Sequence, residues 1–374
     1  MIEYTVAAPG EYEKCLDFGN FVFSQAHVPH DFRALLPKTY GSEENFAGVP
    51  HFIAKREDGY IRAMIACRPT PLKYLDTVLT TGYVGTVSVH PYARGEGHMK
   101  QLMADMIADG RKRGYDMLVL GGQRQRYGYF GFEKGGVALR FDVSSTNLRH
   151  TCKDLDVSRI AFREMTEADA EQAWALHNTC PVGGVRRVED FVTVMHSWNQ
   201  KAYVILNGGE FAGYMNRSGT ELMLKDEELL YAVIKAYYAA FGIDNMSFLC
   251  GIHETRRIAL LEGLAERWSL TNLEMLSVLN WKNVLNALLK YKAAYIPLTD
   301  GEKTLIIEGT PLTIRVENGK PEVCEAANAE GAPVLDHMQA MKLFFRTTDY
   351  LLPNSMLPQG WAPLPFYMTN VDGF

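Results

Sequence analysis

The chain predicts an α/β (α+β) fold made of more than one domain. Three observations carry that reading. A strand, a glycine turn, an amphipathic helix and a second strand follow one another between Val84 and Leu120. Two hairpins, at 51–67 and 202–215, stand at matching places in an element order that occurs twice. And 374 residues exceed what one ordinary domain holds.

The stretch around which the rest is organised is Val87 to Met103. Thr86 to Val89 sets β-branched residues at alternate positions, a strand signal. Pro91 stops the ladder because it has no N–H to donate. Arg94-Gly95-Glu96-Gly97 is a turn with two residues free to take positive φ. Met99, Leu102, Met103, Met106 and Ile107 then fall at i, i+3, i+4, i+7 and i+8, one apolar stripe on a helix ending near Gly114. A glycine turn feeding a helix aims several backbone N–H groups at one spot with the helix dipole behind them. That suits a phosphate or pyrophosphate, although Gly-x-Gly alone reads equally well as a plain turn.

Around this stretch, residues 1–150 form one α/β unit. Ile2 to Val6 begins a strand and Glu11 to Gln25 a helix. His51–Lys55 and Ile61–Cys67 are strands joined by Glu57-Asp58-Gly59. Tyr115 to Leu120 closes the set. The segment Tyr127-Gly128-Tyr129-Phe130-Gly131-Phe132 reads as a loop whose aromatics cap the core. Residues 151–284 look like a weaker copy. Ile160–Arg163 is a strand, and Thr166 to Asp169 is an approximate capping box opening a helix. A hairpin turns at Asn207-Gly208-Gly209, Leu229–Phe241 is an apolar helix, and Met246–Cys250 is a strand. No Arg-x-x-Gly precedes the Leu229 helix. Asp226, Glu227 and Glu228 do, and they would repel a pyrophosphate, so this copy is read as having no cofactor site. In 285–374 the texture changes: strands near 304–309 and 312–316, then a helix from Val334 to Phe345, following a helix from Trp281 to Lys290. The closing segment, 366–374, is aromatic and apolar, unlike the loose polar ends usual in proteins, and is expected to be packed.

Composition narrows the function. With 47% hydrophobic residues and a mean hydropathy of −0.13, the chain has ample material for cores. A net charge of −6 offers no global attraction to nucleic acid or to an anionic membrane. The six cysteines are scattered, with no Cys-x-x-Cys, which argues against a metal site or a disulfide framework. No basic-then-apolar leader opens the chain and no apolar run reaches a membrane span, so a cytoplasmic protein is expected.

The Val-x-Val strand, proline and Arg94-x-x-Gly97 together resemble the acetyl-CoA loop of the GNAT acetyltransferases, whose pattern is Arg/Gln-x-x-Gly-x-Gly/Ala. Met99 stands where the last small residue belongs. A larger residue there is similar to the Eis-type (enhanced intracellular survival) branch, in which leucine is usual. Tyr127 to Phe132 resembles the Tyr-Gly-x-Phe-Gly-Tyr segment of that branch, and the tail resembles its Pro-Phe/Tyr-x-Thr-x-x-Phe ending. The resemblance implies two GNAT-like domains followed by a sterol-carrier-like domain. It implies acetyl-CoA held by Val87, Ser88 and Val89, by Arg94, Gly95, Glu96, Gly97, His98, Met99 and Lys100, and by Gly122 and Gln123. It implies Tyr127 as the acid that protonates the departing thiolate and the α-carboxylate of Phe374 as the general base, with no metal.

The chemistry is consistent. An alkylamine of pKa ~10.4 is protonated at neutral pH, and only its neutral form attacks a thioester, so a base must remove a proton. Backbone N–H groups of 87–89 would steady the oxyanion. His90 and His98 are read as turn and surface residues. The implied acceptor is a primary amine of an aminoglycoside, a polyamine or a lysine-like compound, and the implied assembly is a homo-oligomer, as in the family's hexamers. The rival is a non-enzymatic sensor or scaffold that binds acetyl-CoA or lipid. A transferase using aminoacyl-tRNA would want a basic groove, which the charge does not supply.

Overall fold

The computed structural model describes residues 1–25, 28–350 and 355–374. The chain divides into two compact units. One comprises Met1–Gly135, Glu274–Leu364 and Asp372–Phe374; the other comprises Gly136–Leu273 and Pro365–Val371. The mixed α/β class expected from the sequence is the class observed.

The first unit is built on a seven-stranded sheet. Its strands are β1 (Ile2–Val6), β2 (His51–Arg56), β3 (Ile61–Pro69), β4 (Thr81–Val89), β5 (Met117–Leu120), β6 (Glu133–Gly135) and β7 (Glu274–Val278). They lie in the order β1-β2-β3-β4-β5-β7-β6. All neighbours are antiparallel except β4 and β5, which are parallel. Helix α1 (Tyr12–Ser24) covers one face, where Gly19 approaches Met64 and Thr86. Helix α2 (His98–Lys112) covers the other, packing Leu102, Met103 and Met106 on Ile65, Val84, Leu118 and Leu120. The apolar stripe read from the sequence is thus the buried face of α2.

Two local features of β4 shape the site. Its ladder with β5 runs only from Thr81↔Met117 to Tyr83↔Val119. Beyond that rung, 84–89 pair with β3 alone. Between Gly85 and Ser88 the register with β3 slips, so that Ile65 faces two residues, and Thr86 sits at φ 47°. This is a β-bulge, a device that bends a strand and re-aims its side chains.

The remainder of this unit holds α3 (Trp281–Ala293), the antiparallel strands Gly301–Ile307, Thr310–Glu317 and Lys320–Glu325, and α4 (His337–Phe345). Val334 and Leu335 are a short parallel strand beside Gly301–Ile307, not the first turn of a helix. Asp336 starts α4 instead: its side chain accepts from the Gln339 N–H, and Gln339 reciprocates. The tail is anchored here at 361–364. Trp361 is fully buried and donates from Nε1 to the Thr299 carbonyl at 2.8 Å. Lys292 is also buried and donates to the Pro363 carbonyl at 2.8 Å, and burial pulls its pKa down to about 8.

The second unit carries a four-stranded sheet of Ile160–Glu164, Ala202–Asn207, Glu210–Asn216 and Leu222–Leu224, and the sheet Asn245–Cys250, Ala138–Ser144, Arg267–Thr271. Its helices include Ala170–Thr179 and Leu230–Phe241. The Thr166–Asp169 capping box is present, with Arg163 bridging Asp169 at 2.6 Å. Asp226 caps the turn before Leu230, while Glu227 and Glu228 pair with Arg257 and Arg256, both at 2.5 Å. Residues 365–371 belong to this unit: the Phe366 carbonyl accepts from the Val137 N–H at 2.9 Å, and Thr369 donates to Glu221 at 2.9 Å.

Contacts group the chain into these units with divisions at 135/136, 273/274, 364/365 and 371/372. For the first two the reason is strand pairing. Ala138–Ser144 finds its partners at 245–250 and 267–271, and Glu274–Val278 finds its partners in β5 and β6.

Candidate active site

The site is built where β4 and β5 part. Val87 and Val89 are half-buried and Ser88 is buried, with its hydroxyl turned back to the Thr86 carbonyl at 3.0 Å. On the β5 side this stretch has no ladder, so its backbone polar groups there are open to a ligand.

The glycine turn follows. Gly95 and Gly97 sit at φ 86° and 84°, and a Cβ on either would meet nothing within 4 Å. These glycines serve the backbone conformation, and the space around them is open. Gly97 is the N-cap of α2 and provides no side-chain cap, so the first N–H groups of a 15-residue helix face that space. Arg94 is exposed. Glu96 is turned aside: its carboxylate reaches His98 Nε2 at 3.0 Å and Arg62 at 3.6 Å, which offsets a charge that would oppose a phosphate. Lys100 is exposed, with Nζ 5.6 Å above the Tyr129 ring. Met99, the departure from a small residue, leans into the α2 core cluster. The donor set therefore fits a pyrophosphate.

His98 is not a surface residue. It is 4% exposed, and its Nδ1 meets the Tyr4 hydroxyl at 2.8 Å. The helical period places it inward, one position before the Met99 stripe, which a count of apolar residues passed over. Any part it takes in binding belongs to its backbone N–H. His90 is a turn residue, as expected: its ring accepts from the Tyr92 N–H at 3.3 Å and stacks on Phe21.

After β5 the chain passes through Gly121, Gly122 and Gln123. The Gln123 carbonyl accepts from the N–H groups of Arg126 and Tyr127 at 3.0 and 3.1 Å, winding 124–127 into one helical turn. That turn lays the Tyr127 ring on Gly122. A Cβ there would stand 2.4 Å from Tyr127 Cε2, so the ring occupies the place of a side chain. Tyr127 is buried on the α2 side, edge-on to Phe132. Burial pushes its pKa up, with Arg126 pulling the other way. The phenol thus stays protonated through neutral pH.

Phe374 comes home to β4. A Cβ on Gly85 would lie 2.1 Å from Phe374 Cγ. The Phe374 ring meets Tyr40 edge-on at 6.4 Å, and Tyr40 in turn holds the bulge through Thr86 Oγ1 at 2.7 Å. Lys38 donates to the Gly373 carbonyl, and Arg68 to the Asp372 carbonyl at 3.2 Å. Strand alternation puts Gly85 and Tyr83 on one face of β4 and Val84 on the other. Val84 lies in the α2 cluster with Tyr127. Phe374 and Tyr127 therefore approach the same parting of β4 and β5 from opposite faces of the sheet.

Sequence reasoning passed over two groups here. Tyr83 and Glu274, the first residue of β7, converge over Gly121: Tyr83 Oη lies 3.4 Å, and Glu274 Oε2 3.5 Å, from the point a Cβ there would occupy. Burial pushes the Glu274 pKa up, while Tyr83 and Lys134 draw it back; the Tyr83 pKa is driven well above its usual value by burial first and by Glu274 second. No motif announces Glu274, because its β6 neighbour Gly135 stands 139 positions earlier in the chain.

Among the described residues no group of three or more His, Cys, Asp or Glu is placed to hold a metal, and no helix is long and apolar enough to cross a membrane. No curated protein sequence matches the chain. Its fold is similar along its whole length to several solved structures. One is a GCN5-related N-acetyltransferase from Anabaena variabilis (TM-score 0.69, 15% identity, 100% of each chain covered). Another, from Kribbella flavida, carries the same description (TM-score 0.67, 15% identity, 100% of this chain and 98% of that one). Eis1 from Mycobacterium abscessus matches with TM-score 0.60 and 13% identity over 96% and 95% of the two chains. At such identity the likeness is one of fold. Residues 3–135 match the family described as acetyltransferase (GNAT) domain. They are the part that carries β1–β6, the glycine turn and Tyr127, so the protein contains an acetyltransferase (GNAT) domain.

Proposed function

We propose that this enzyme is of the Eis type and transfers acetyl to a primary amine of an aminoglycoside, a polyamine or a lysine-like acceptor. The observation that carries the reading is the seat of Phe374 on Gly85, beside the parting of β4 and β5. The reading takes Phe374 as the terminal residue, which the mass of the purified protein checks.

Acetyl-CoA, when bound, supplies an acetyl group activated as a thioester. The N–H groups of 97–100, with Arg94 and Lys100, hold its pyrophosphate, and Val87, Ser88 and Val89 line the way between β4 and β5, with Gly122 and Gln123 on the far bank. The acceptor enters on the face of Phe374. Its ammonium gives a proton to the α-carboxylate, directly or through one water. That carboxylate is a weak base in water, with pKa ~3.5, so its part depends on being held close to the acceptor. An N–H of the 87–89 stretch steadies the negative oxygen that develops. On the opposite face the Tyr127 hydroxyl donates its proton to the departing sulfur. A base and an acid on opposite faces match a reaction in which the amine arrives on one side and the thiol leaves on the other.

The second unit, with its acids at 226–228 capping and paired, acts in this reading as a GNAT-like scaffold without a cofactor site, and the segment after α3 as a sterol-carrier-like part of structural purpose. A cytoplasmic homo-oligomer, as a hexamer, completes the proposal.

The test is a thiol-release assay with acetyl-CoA against aminoglycosides, polyamines and lysine peptides. Tyr127→Phe and the addition of one residue after Phe374 should each lower turnover by about two orders of magnitude while acetyl-CoA binding persists. Unchanged turnover in both variants would refute the assigned roles.

A further inference from the structure

The seat on Gly85 fixes the Phe374 ring, but the α-carboxylate leaves the Cα by another bond. Its direction is set by the backbone that precedes it, and two cations hold that backbone. Lys38 donates from Nζ to the Gly373 carbonyl, 335 positions away in the chain. Arg68 donates from Nη1 to the Asp372 carbonyl at 3.2 Å.

Lys38 is only 8% exposed. Lysine is almost never buried to that degree without a partner, because an ammonium gives up its hydration at a cost. The local chain explains how it comes to be there. Pro37 opens the single helical turn Pro37–Tyr40, and the Pro37 carbonyl accepts from the Gly41 N–H and from Asn45 Nδ2, both at 2.8 Å. Tyr40 leaves the same turn, meets the Phe374 ring edge-on and bonds Thr86 in the bulge. One short turn therefore takes the backbone of 373 with Lys38 and the ring of 374 with Tyr40. Arg68 works from β3, opposite Tyr83 of β4, and its Nη1 also reaches Thr70 Oγ1 at 3.4 Å. Both cations grip carbonyl oxygens, which any residue supplies, so these two bonds read the course of the tail and not its side chains.

We infer that Lys38, seconded by Arg68, is a positioning residue: it latches the last peptide by its carbonyl and so aims the α-carboxylate of Phe374 at the acceptor. The inference rests on the reading of that carboxylate as the base.

The latch is tested on the full chain with carboxypeptidase A, which removes a C-terminal aromatic residue, and by turnover. Phe374 is buried, so the peptidase reaches it only when the tail is released. Lys38→Met keeps the length of the stem and removes the ammonium. At a temperature well below melting it should lose Phe374 at least tenfold faster than the wild type, read by intact mass. Its kcat should fall about tenfold or more, with the dissociation constant for acetyl-CoA unchanged. In a chain lacking Phe374 the same substitution should lower kcat no further. Arg68→Gln, at a half-buried position, should shift release and kcat in the same directions, and it carries the test if Lys38→Met does not fold. Faster release with kcat unchanged, both in Lys38→Met and on deletion of Phe374, leaves the latch standing and removes the base reading. Wild-type release and kcat in Lys38→Met, while deletion of Phe374 abolishes turnover, overturns the inference and spares the base. An equal loss of kcat with and without Phe374 also overturns it, since Lys38 would then act elsewhere.

Discussion

Phe374 occupies the space that a side chain on Gly85 would need, with Cγ 2.1 Å from that missing Cβ. Gly85→Ala must therefore expel the ring or push β4 aside. Overpacking of this kind costs about 1–3 kcal/mol. Turnover should fall about a hundredfold, because small displacements of a catalytic group have effects of that order. Deleting Phe374 should do the same, and the double change should be no worse than either alone, since both act through one group. Thiol release and melting temperature together check this; additive losses would show that Gly85 matters for another reason.

Gly122 stands to Tyr127 as Gly85 stands to Phe374, with a Cβ position 2.4 Å from Tyr127 Cε2. Gly122→Ala should shift the phenol and lower kcat to the level of Tyr127→Phe, a loss of about 10²–10⁴. The dissociation constant for acetyl-CoA, read by calorimetry, should change far less than kcat.

Gly97 lies at φ 84° with no atom within 4 Å of its missing Cβ, so Gly97→Ala creates strain without a clash. A left-handed conformation costs a residue with a side chain about 1–2 kcal/mol. Relaxation of the turn should misaim the N–H groups of α2 and weaken acetyl-CoA binding about tenfold. The same titration decides it, with kcat at saturating donor expected to stay close to that of the wild type.

His51 gives the fold an acid limit. Its Nδ1 meets the Val49 carbonyl at 2.6 Å and its Nε2 the Tyr40 hydroxyl at 3.1 Å, with the ring stacked on Phe46. Burial lowers its pKa to about 3. Unfolded, the same histidine titrates near 6.5. Between those values the unfolded chain takes up a proton that the folded one refuses, so stability falls as pH drops below about 6.5. Denaturant midpoints at pH 7, 5 and 4 should decline in that order, and His51→Gln should flatten the slope. Because Tyr40 links His51 to Thr86 and meets Phe374, activity should fail over the same range.

Local signals were the legible part of this chain. The stripe from Met99 to Ile107, the glycine turn, the hairpins at 51–67 and 202–215 and the capping box at Thr166 all depend on residues within one or two turns of each other, and the structure has them. His98 was misread because its burial depends on Tyr4, 94 residues away. The helix expected from Val334 starts at His337 because Asp336 caps it and Val334–Leu335 pairs with Gly301–Ile307.

What the sequence alone determined is the set of elements and the shape of the turn between Arg94 and His98, since period, φ freedom and capping are properties of neighbouring residues. What only the tertiary structure decided is which distant groups share the parting of β4 and β5. Phe374 reaches Gly85 and Glu274 reaches Tyr83 by sheet pairing and by packing against missing side chains, and neither leaves a mark in the local order of residues.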